Sequence, residues 1–467
     1  MGKLTALILA AGKSTRMKSA HSKVLSSLAG RPVLAYPIEA ARDAGAAPIK
    51  VVVSPDQADI REYLKGVGVG HVVQREALGT AHAVMAAANA LKNFAGDVLI
   101  LCGDVPLVRA GALKDFVAAV RARKSTLGVL TMTPDDAGSY GRIVRDLDGR
   151  ITRIVEAKDA TDKEISIREV NSGILLADRQ WLFNSLKKVK NDNAKGEYYI
   201  TDLVGIALKE GVGVSAHKSE PACDFHGINT RVDLARAAEL MRERINKGLQ
   251  LAGAGLVDFR HTYVDAGVRI GRDSTVLPFS FIQGDTRIGR DCTIENGVVI
   301  RNATIGNGVH IKAHSVIEDS TVSDGAVLGP FARVRPGSKV GEGARIGNFV
   351  ELKKCTVKKG AKANHLTYLG DAVVGAGANI GGGTITCRSM GLHSFVLILC
   401  DGRYVRDPRD GRGPSALDRE QLLAGGLDHA PIDRMFTFLQ ALFSHFHRPG
   451  PMFDGLVVAP GSPAGVA

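Results

Sequence analysis

The sequence predicts two kinds of β structure in succession, a Rossmann-like parallel α/β sheet followed by a left-handed parallel β-helix. In the first part of the chain, short apolar runs alternate with helix-like stretches, which is typical of a parallel sheet covered by helices. Further along, aliphatic residues recur every six positions between small, glycine-containing turns, and this period indicates a β-helix. We therefore expect a sheet domain over 1–230, a linker helix over 231–253 and a β-helix over 254–387.

Four apolar runs of the first domain are predicted to be strands: 4–10, 49–53, 98–101 and 127–132. Between them, the apolar spacing of 33–44 and of 81–91 predicts helices. Ligands of parallel α/β sheets bind beyond the carboxyl ends of the strands, so the loops after these runs are the predicted place for a site.

The linker helix is predicted from its start signal, since Asn229 and Thr230 are followed by Asp233 and then by apolar residues at helical spacing as far as Gly253.

The β-helix is predicted from its inward aliphatic residues, because stacked coils leave room only for such side chains and for small turns. These positions are Ile270, Val276, Ile282, Ile288, Ile294 and Ile300, then, after a slip of one residue, Ile305, Ile311 and Ile317, later Val334, Val340, Ile346 and Leu352, and finally Tyr368, Val374 and Ile380.

The six-residue pattern ends near Cys387. Residues 402–420 are rich in Arg, Asp, Pro and Gly, while 435–446 have helix-like apolar spacing. Two explanations are open for the divergent segment 388–467. One is a shifted reading frame in the gene, which the abruptness of the change favours, and the other is a genuine divergent cap.

Charge and cysteine content narrow the class of protein. A net charge of +12 indicates an anionic partner. Because the basic residues are scattered and not grouped with aromatic residues, phosphorylated small molecules are favoured over nucleic acid. The six cysteines form no C-x-x-C pair, which argues against a zinc site or a disulfide framework. No apolar stretch reaches the ~18 residues that span a bilayer, and the N-terminus lacks a signal-peptide pattern. These features predict a cytoplasmic protein.

A glycine-rich turn follows the first predicted strand. Such a turn presents backbone N–H groups to phosphate, and Arg16 can add a charge-assisted contact. It is not a Walker A loop, since Leu7 stands where the first glycine belongs. Similarly, Asp104 follows the apolar run 99–102, where an aspartate is a good Mg²⁺ ligand. Taken alone, the first feature has an ordinary tight turn as its alternative explanation, and the second has a helix cap or turn former.

In combination, the motifs of the chain resemble the bacterial bifunctional N-acetylglucosamine-1-phosphate uridylyltransferase/glucosamine-1-phosphate N-acetyltransferases. They occur in the family's order over residues 4 to about 387: LAAGKSTRM from Leu9, KVL from Lys23, QREALGTAHA from Gln74, CGDVPL from Cys102, SYGRIVRD from Ser139, IVEAKDA from Ile154, NSGI from Asn171, EYYITD from Glu197 and GINT from Gly227. The resemblance implies an α/β nucleotidyltransferase that transfers UMP from UTP to N-acetylglucosamine 1-phosphate. The products would be pyrophosphate and UDP-N-acetylglucosamine, a precursor of peptidoglycan and lipopolysaccharide.

The same resemblance assigns residues to the first reaction. It implies a nucleotide cradle of Leu9, Ala10, Ala11, Gly12 and Lys23, to which the charge of Arg16 adds a predicted phosphate contact. It also implies uracil recognition by Gln74, Gly79 and Thr80, and Mg²⁺ ligation by Asp104 and Asn229. Substrate contacts are predicted along Cys102, Gly103 and Asp104, and a sugar site at Gly141, Glu156 and Asn171. Two positions depart from the family, with Ser22 in place of a proline and Cys102 in place of a tyrosine. Neither change removes a charge or a metal ligand.

The second reaction of the family is the acetyl-CoA-dependent N-acetylation of glucosamine 1-phosphate. The resemblance implies that His365 is its base, since a protonated amine cannot attack a thioester, and that Arg335, Lys353, Tyr368 and Asn379 bind the substrate. A single histidine in a coil is otherwise usually a packed or solvated side chain. After Cys387 the family continues with Asn-Tyr-Asp-Gly and further coils, where this chain has Arg388-Ser389-Met390-Gly391. The sequence therefore predicts that acetyl transfer is impaired and that the family's homotrimer is weakened.

Two alternatives are open at this stage. The chain could be a nucleotidyltransferase for another sugar phosphate or nucleotide, although the uracil motif and the 156/171 pair argue against it. It could also be a non-catalytic scaffold whose β-helix only oligomerises, although the Asp104/Asn229 pair argues against that.

Overall fold

The computed structural model describes residues 2–12, 14–193, 196–387, 395–399 and 456–460. The chain divides into two compact units, residues 1–241 and 242–467. Within the described residues, no helix is both long enough and apolar enough to cross a membrane.

The first unit combines a sheet with short helices. Its strands are β1 Leu4–Leu9, β2 Ser27–Leu28, β3 Arg31–Pro32, β4 Ile49–Val53, β5 Gly70–Val73, β6 Asp97–Cys102, β7 Leu127–Met132, β8 Arg142–Arg145, β9 Ile151–Val155, β10 Val170–Asp178 and β11 Val214–Lys218. Its α-helices are α1 Ala35–Asp43, α2 Ala58–Gly66, α3 Thr80–Met85, α4 Ala110–Ala122, α5 Asp162–Ile165, α6 Arg179–Ser185 and α7 Leu203–Lys209. Helix α8, Arg231–Leu251, begins in the first unit and ends in the second. Short 3₁₀ turns cover Thr15–Met17, Lys23–Leu25, Leu186–Lys188, Ile200–Asp202 and Ala222–Phe225.

Nine of these strands form a mixed sheet with the main order β11-β7-β10-β6-β1-β4-β5, and β2 and β3 form a separate antiparallel pair. Strands β5, β4, β1 and β6 are parallel, as are β7 and β11, whereas β10 runs antiparallel between β6 and β7. Strands β8 and β9 form an antiparallel pair that joins the sheet through β10. Alternation of strands and helices in the sequence shows that a sheet forms but does not show the direction of each strand.

The four strands predicted from the sequence are all present, with ends within one residue of the prediction. The helix predicted over 81–91 is shorter, since α3 ends at Met85 and turns follow it, with Ala87 and Ala88 donating to the carbonyls three residues before them. Helix α8 begins as predicted, because Asp233 accepts from the N–H groups of Asn229 and Thr230 while Thr230 Oγ1 accepts from Asp233 N–H.

The second unit is the β-helix, built from three sheets of short strands. They are β12 Gly255–Leu256, β13 Tyr263–Val264, β14 Arg269–Ile270, β15 Thr275–Val276, β16 Phe281–Gln283, β17 Arg287–Ile288, β18 Thr293–Ile294, β19 Val299–Arg301, β20 Thr304–Ile305, β21 His310–Ile311, β22 Val316–Glu318, β23 Thr321–Val322, β24 Val327–Leu328, β25 Arg333–Val334, β26 Lys339–Val340, β27 Arg345–Ile346, β28 Val350–Lys353, β29 Thr356–Val357, β30 Lys362–Ala363, β31 Thr367–Gly370, β32 Val373–Val374, β33 Asn379–Ile380 and β34 Ile385–Cys387. Every third strand belongs to the same sheet and pairs in parallel with the next coil.

The predicted inward residues form the core of the β-helix, with one correction at the C-terminal end. Every aliphatic position from Ile270 to Leu352 in the predicted set is buried. At β31, however, the inward residue is Leu369, which pairs with Leu352, whereas Tyr368 pairs with Glu351 on the outer surface. The prediction that Tyr368 points inward is therefore wrong. The error arose because the turn before Val374 is one residue shorter, as it is before Ile305, which shifts the register.

The parallel ladder ends at β34. Strand β35, Phe395–Leu399, pairs antiparallel with β34, and β36, Leu456–Pro460, pairs antiparallel with β35. The sheet thus continues without another parallel coil. Most of the divergent segment, including the helix predicted over 435–446, lies outside the described residues.

One corner of the β-helix carries exposed rings, which we call the aromatic ridge: Phe279, His314, Phe331 and Phe349. All four have positive φ, between 55° and 61°, so the corner conformation directs them outward. His314 stacks on Phe331 with ring centroids 5.2 Å apart, and Phe331 stacks on Phe349 at 5.5 Å. The three phenylalanines are each about half exposed, from 48% to 57%.

Candidate active site

A cavity of about 660 Å³ lies within the first unit, at the carboxyl ends of β1 and β6. The two strand ends are held together by the hydrogen bond from Gly103 N–H to Leu9 O, 2.8 Å. Of the residues that the sequence singles out, nine line this cavity: Leu9, Arg16, Thr80, Cys102, Asp104, Gly141, Glu156, Asn171 and Asn229. Residues from distant parts of the chain therefore converge on one site, as expected for an α/β sheet.

The loop after β1 is fixed by a residue that the sequence analysis missed. Buried Gln57 donates from Nε2 to Ala10 O at 3.1 Å and to Gly12 O at 3.4 Å, while its Oε1 accepts from Ser54 N–H. Ala10 N–H is bonded to Val52 O. Within the described residues, the N–H groups of Ala11 and Gly12 have no partner, so they can bind an anion. No local sequence pattern identifies Gln57, because its role depends on a hydrogen bond to a residue 47 positions away.

A network of four charged and polar groups lies beside the loop. Lys23 Nζ forms an ion pair with Asp104 Oδ2 and donates to Asn229 Oδ1 at 3.0 Å. Arg16 Nη2 donates to the same Asn229 oxygen at 2.8 Å. Asn229 is placed there because Ile228 N–H donates to Asp104 O, 2.9 Å. The predicted metal ligands are thus neighbours although they are far apart in sequence.

The oxygens of Asp104 and Asn229 fit a magnesium ion. A carboxylate and an amide oxygen are hard ligands, and both lie within hydrogen-bonding distance of one ammonium group. Among the described residues there is no cluster of three or more His, Cys, Asp or Glu side chains that could enclose a metal. Nucleotide-bound Mg²⁺ usually takes only one or two ligands from the protein, and phosphate oxygens and water fill its other coordination positions.

The predicted uracil residues lie together at a second corner of the site. Gly79 has φ of +112°, and a Cβ there would lie 2.6 Å from Tyr198 O, so no other residue fits. Thr80 Oγ1 accepts from Ile200 N–H at 3.0 Å, which ties the loop to the EYYITD segment. Buried Gln74 donates to Gly79 O at 3.3 Å. Of these three residues only Thr80 lines the cavity itself.

The predicted sugar residues lie together in the cavity. Asn171 N–H donates to Gly141 O at 2.8 Å, and Asn171 Oδ1 accepts from Gly173 N–H at 3.0 Å. A register shift in β10 between Asn171 and Leu175 redirects this part of the strand toward the cavity. Glu156 Oε1 accepts from Thr201 Oγ1 at 3.2 Å. The arrangement offers amide, carboxylate and backbone groups to sugar hydroxyls.

Tyr140 and His226 also line the cavity, and the sequence analysis did not single them out. Their rings stack with centroids 6.2 Å apart, and Tyr140 Oη accepts from Gly227 N–H at 3.4 Å. Burial raises the pKa of Tyr140, so its hydroxyl remains neutral. Tyr140 thus connects the predicted sugar segment to the segment that carries Asn229.

Cys102, where the resemblance implies a tyrosine, lines the cavity. Its thiol packs against Gly173, where a Cβ would lie 3.0 Å from Sγ, and Sγ donates to Gly173 O at 3.8 Å. Burial, with the nearby Asp104 carboxylate, raises the pKa of Cys102 to about 12. The group is therefore an uncharged thiol at neutral pH, and it keeps the floor of the cavity apolar.

In the second unit, three predicted acetyl-transfer residues share one outer face. The hydrogen bond from Arg335 N–H to Leu352 O places Arg335 in line with Lys353 on the next coil. Arg335 Nη1 pairs with Glu351 at 2.9 Å. Tyr368 lies on the next coil, and its ring lies over Gly370, the partner of Lys353. A Cβ on Gly370 would lie 2.7 Å from the ring of Tyr368. The face thus presents two cations and a phenol, which suits a sugar phosphate.

The other two predicted residues lie elsewhere on the β-helix. His365 is exposed at the corner two residues before β31. Asn379 lies on β33, which belongs to the sheet of β30, a different sheet from β25, β28 and β31. The structure therefore does not bring Asn379 onto the face of Arg335, Lys353 and Tyr368.

Comparison with known proteins gives close relatives over most of the chain. The chain is 45% identical over 427 residues to the bifunctional protein GlmU of Pelobacter propionicus, covering 91% of this chain and 93% of the relative. It is 46% identical over 427 residues to that of Geotalea uraniireducens, with the same coverage. It is 45% identical over 406 residues to that of Anaeromyxobacter dehalogenans, covering 86% of this chain and 83% of the relative. Since residues 1–387 make up less than 86% of the chain, all three matches include part of the divergent segment 388–467.

Two family models match the chain. The MobA-like NTP transferase domain matches residues 6–162, and the GMPPB C-terminal domain matches residues 261–338. The first match covers the glycine-rich loop, the uracil corner and Asp104, and the second covers coils of the β-helix.

Proposed function

The chain belongs to the family of the bifunctional protein GlmU, and from this we infer that it transfers UMP from UTP to N-acetylglucosamine 1-phosphate, forming UDP-N-acetylglucosamine and pyrophosphate. One observation carries the proposal, namely the convergence of Asp104, Asn229, Glu156 and Asn171 on a single cavity beside a glycine-rich loop. The product is a precursor for the synthesis of peptidoglycan and lipopolysaccharide.

The proposed roles follow from the chemistry of the groups. The sugar phosphate is already a nucleophile, so the site needs no general base, only alignment and charge neutralisation. The N–H groups of Ala11 and Gly12, with Arg16 and Lys23, bind the triphosphate. Bound by Asp104 and Asn229, Mg²⁺ would neutralise charge on the phosphates.

The two substrates are held by opposite corners of the site. Gln74, Gly79 and Thr80 bind the uracil, and the rigid loop around Gly79 keeps its backbone groups at fixed positions. Gly141, Glu156 and Asn171 bind N-acetylglucosamine, and Leu9 and Cys102 line the same cavity. This arrangement aligns the sugar phosphate for attack on the α-phosphorus, with pyrophosphate as the leaving group.

The test is a substrate panel with pyrophosphate release as the readout. We expect kcat/KM for UTP with N-acetylglucosamine 1-phosphate to exceed that for CTP, ATP or glucose 1-phosphate by about a hundredfold or more, because unpaired polar groups penalise the wrong substrate. Equal or faster turnover with another nucleotide or sugar phosphate would reassign the substrate. If no pair of nucleotide and sugar phosphate releases pyrophosphate, the result would instead favour the non-catalytic β-helix scaffold.

The second candidate function is acetyl transfer from acetyl-CoA to glucosamine 1-phosphate, favoured by the face that Arg335, Lys353 and Tyr368 share. In this proposal, His365 removes a proton from the attacking amine. Because Asn379 lies on another sheet, its proposed contact with substrate cannot be made from the same face. The parallel ladder ends at β34, and this limits the function.

A homotrimer is proposed on the resemblance to the family, and the aromatic ridge supports it as a contact surface. A patch of several rings that is exposed in a single chain usually marks a surface that another protein covers. We expect the double variant Phe331→Asn, Phe349→Asn to sediment as a smaller species than the wild type, with pyrophosphate release within about twofold, since the rings lie outside the first unit. Val373→Asn, at an exposed residue of another sheet, is the control. A wild-type monomer, or an unchanged mass in the double variant, would exclude the ridge as the contact.

A cytoplasmic location is proposed because UTP is a cytoplasmic substrate and Cys102, Cys223, Cys292 and Cys355 are not joined in disulfide bonds.

A further inference from the structure

The two oxygens proposed to hold magnesium are already bonded to protein cations. Lys23 Nζ contacts both Asp104 Oδ2 and Asn229 Oδ1, and Arg16 Nη2 contacts the same Asn229 oxygen. An amide oxygen has two lone pairs, so these two donors use the hydrogen-bonding capacity of Asn229 Oδ1. A metal ion can bind Asn229 only if at least one of the cations moves away.

The pair of Lys23 and Asp104 is poorly solvated, which strengthens it. The side chains of Lys23 and Asp104 are 14% and 21% exposed. Charges in such surroundings interact more strongly than at an open surface. The backbone of Lys23 is also fixed, since its N–H donates to Ser14 Oγ at 3.1 Å and its carbonyl accepts from Ser26 N–H. Any movement is therefore confined to the side chain, whose flexible stem can redirect the ammonium group.

A free divalent cation faces an unfavourable exchange at this position. It must displace the ammonium of Lys23 from Asp104 and then remain close to two positive side chains. A cation that arrives with a triphosphate faces no such cost, because phosphate oxygens provide new acceptors for Lys23 and Arg16. The same residues that repel the free metal then bind the nucleotide.

We propose that Lys23 is a cation gate, which occupies Asp104 and Asn229 in the free enzyme and releases them only when a nucleoside triphosphate supplies it with another acceptor. Metal binding is then coupled to triphosphate binding, and the coupling is reciprocal. This inference rests on the proposed role of Asp104 and Asn229 as the metal ligands. It adds that the site selects the metal–nucleotide complex over the free metal.

The test measures binding of Mn²⁺, which shares the oxygen preference of Mg²⁺, by electron paramagnetic resonance on the full-length protein without nucleotide. We expect Lys23→Met to bind Mn²⁺ about tenfold or more tightly than the wild type, because the competing ammonium is gone. Lys114→Met, on the exposed surface of α4, is the matched control and should behave as the wild type. In the double variant Lys23→Met, Asp104→Asn the gain should disappear, which would locate it at this site.

A second measurement needs no variant and remains valid if Lys23→Met does not fold. UTP should raise the affinity of the wild-type protein for Mn²⁺ by more than the binding of Mn²⁺ to UTP in solution accounts for. Uridine should leave the affinity of the protein for Mn²⁺ unchanged. The gate is overturned if wild type without nucleotide binds Mn²⁺ as tightly as Lys23→Met does, or if uridine recruits Mn²⁺ as UTP does. Mn²⁺ binding is measured without turnover, so its failure would overturn the gate alone. Failure of the proposed function would be seen separately, as an absence of pyrophosphate release.

Discussion

Asp104→Asn is expected to lower kcat for UDP-N-acetylglucosamine formation by about a thousandfold or more, with the fold intact. When a metal ion neutralises phosphate, losing one of its charged ligands removes several kcal/mol of transition-state stabilisation. Each tenfold change in rate corresponds to about 1.4 kcal/mol. Asparagine preserves the shape of the side chain and its oxygen, so the packing around Leu9 and Gly103 is unchanged. Pyrophosphate release at saturating UTP and N-acetylglucosamine 1-phosphate measures the effect, and Asp104→Ala should be at least as severe.

The control for this prediction is Asp115→Asn on the exposed surface of α4, which also removes one negative charge from the first unit. Its turnover should stay within about twofold of the wild type, as for most surface substitutions. Melting curves of both variants separate loss of chemistry from loss of folding. If Asp104→Asn retains a tenth or more of the wild-type rate, Asp104 is not the metal ligand.

The sequence predicts most of the fold because its two periodicities are strong. The inward positions of the β-helix follow from steric exclusion, since stacked coils admit only aliphatic side chains inside. The prediction failed at Tyr368, where a turn shortened by one residue moves Leu369 to the inside. A local count of six residues cannot detect such a shift, because the period before and after it is the same.

The site is less completely predicted than the fold. The roles of Asp104 and Asn229 come from motif resemblance, and the structure adds that both oxygens contact Lys23. Gln57 and Tyr140 were not predicted because each acts through a long-range hydrogen bond to backbone that no local pattern encodes. The antiparallel course of β10 was equally invisible, since strand direction depends on the connections that form in three dimensions.

In the wild type, we expect CoA release from acetyl-CoA and glucosamine 1-phosphate to be at least about a hundredfold slower than pyrophosphate release in the uridylyl reaction. The face of Arg335, Lys353 and Tyr368 lies within a few coils of β34, and there the parallel ladder changes to the antiparallel pairing of β35. A cosubstrate as large as acetyl-CoA needs further coils to bind and orient its thioester, and loss of orientation alone can cost several orders of magnitude in rate. The uridylyl site, which lies wholly within the first unit, should be unaffected.

A chimaera distinguishes a missing acetyl-CoA site from a defective sugar-phosphate face. If residues 388–467 are replaced by the corresponding segment of the Pelobacter propionicus relative, CoA release should rise by about a hundredfold while pyrophosphate release stays constant, because we expect that segment to continue the β-helix and orient the thioester. Adding His365→Asn to the chimaera should remove most of that gain, since general-base catalysis typically contributes 10²–10⁴-fold, so a loss of about a hundredfold is expected. Fast CoA release by the wild type would show instead that its own C-terminal segment, or a neighbouring subunit, completes the site. His365→Asn in the wild-type background would then test the base directly, because the same loss is expected wherever the acetyl-CoA contacts come from.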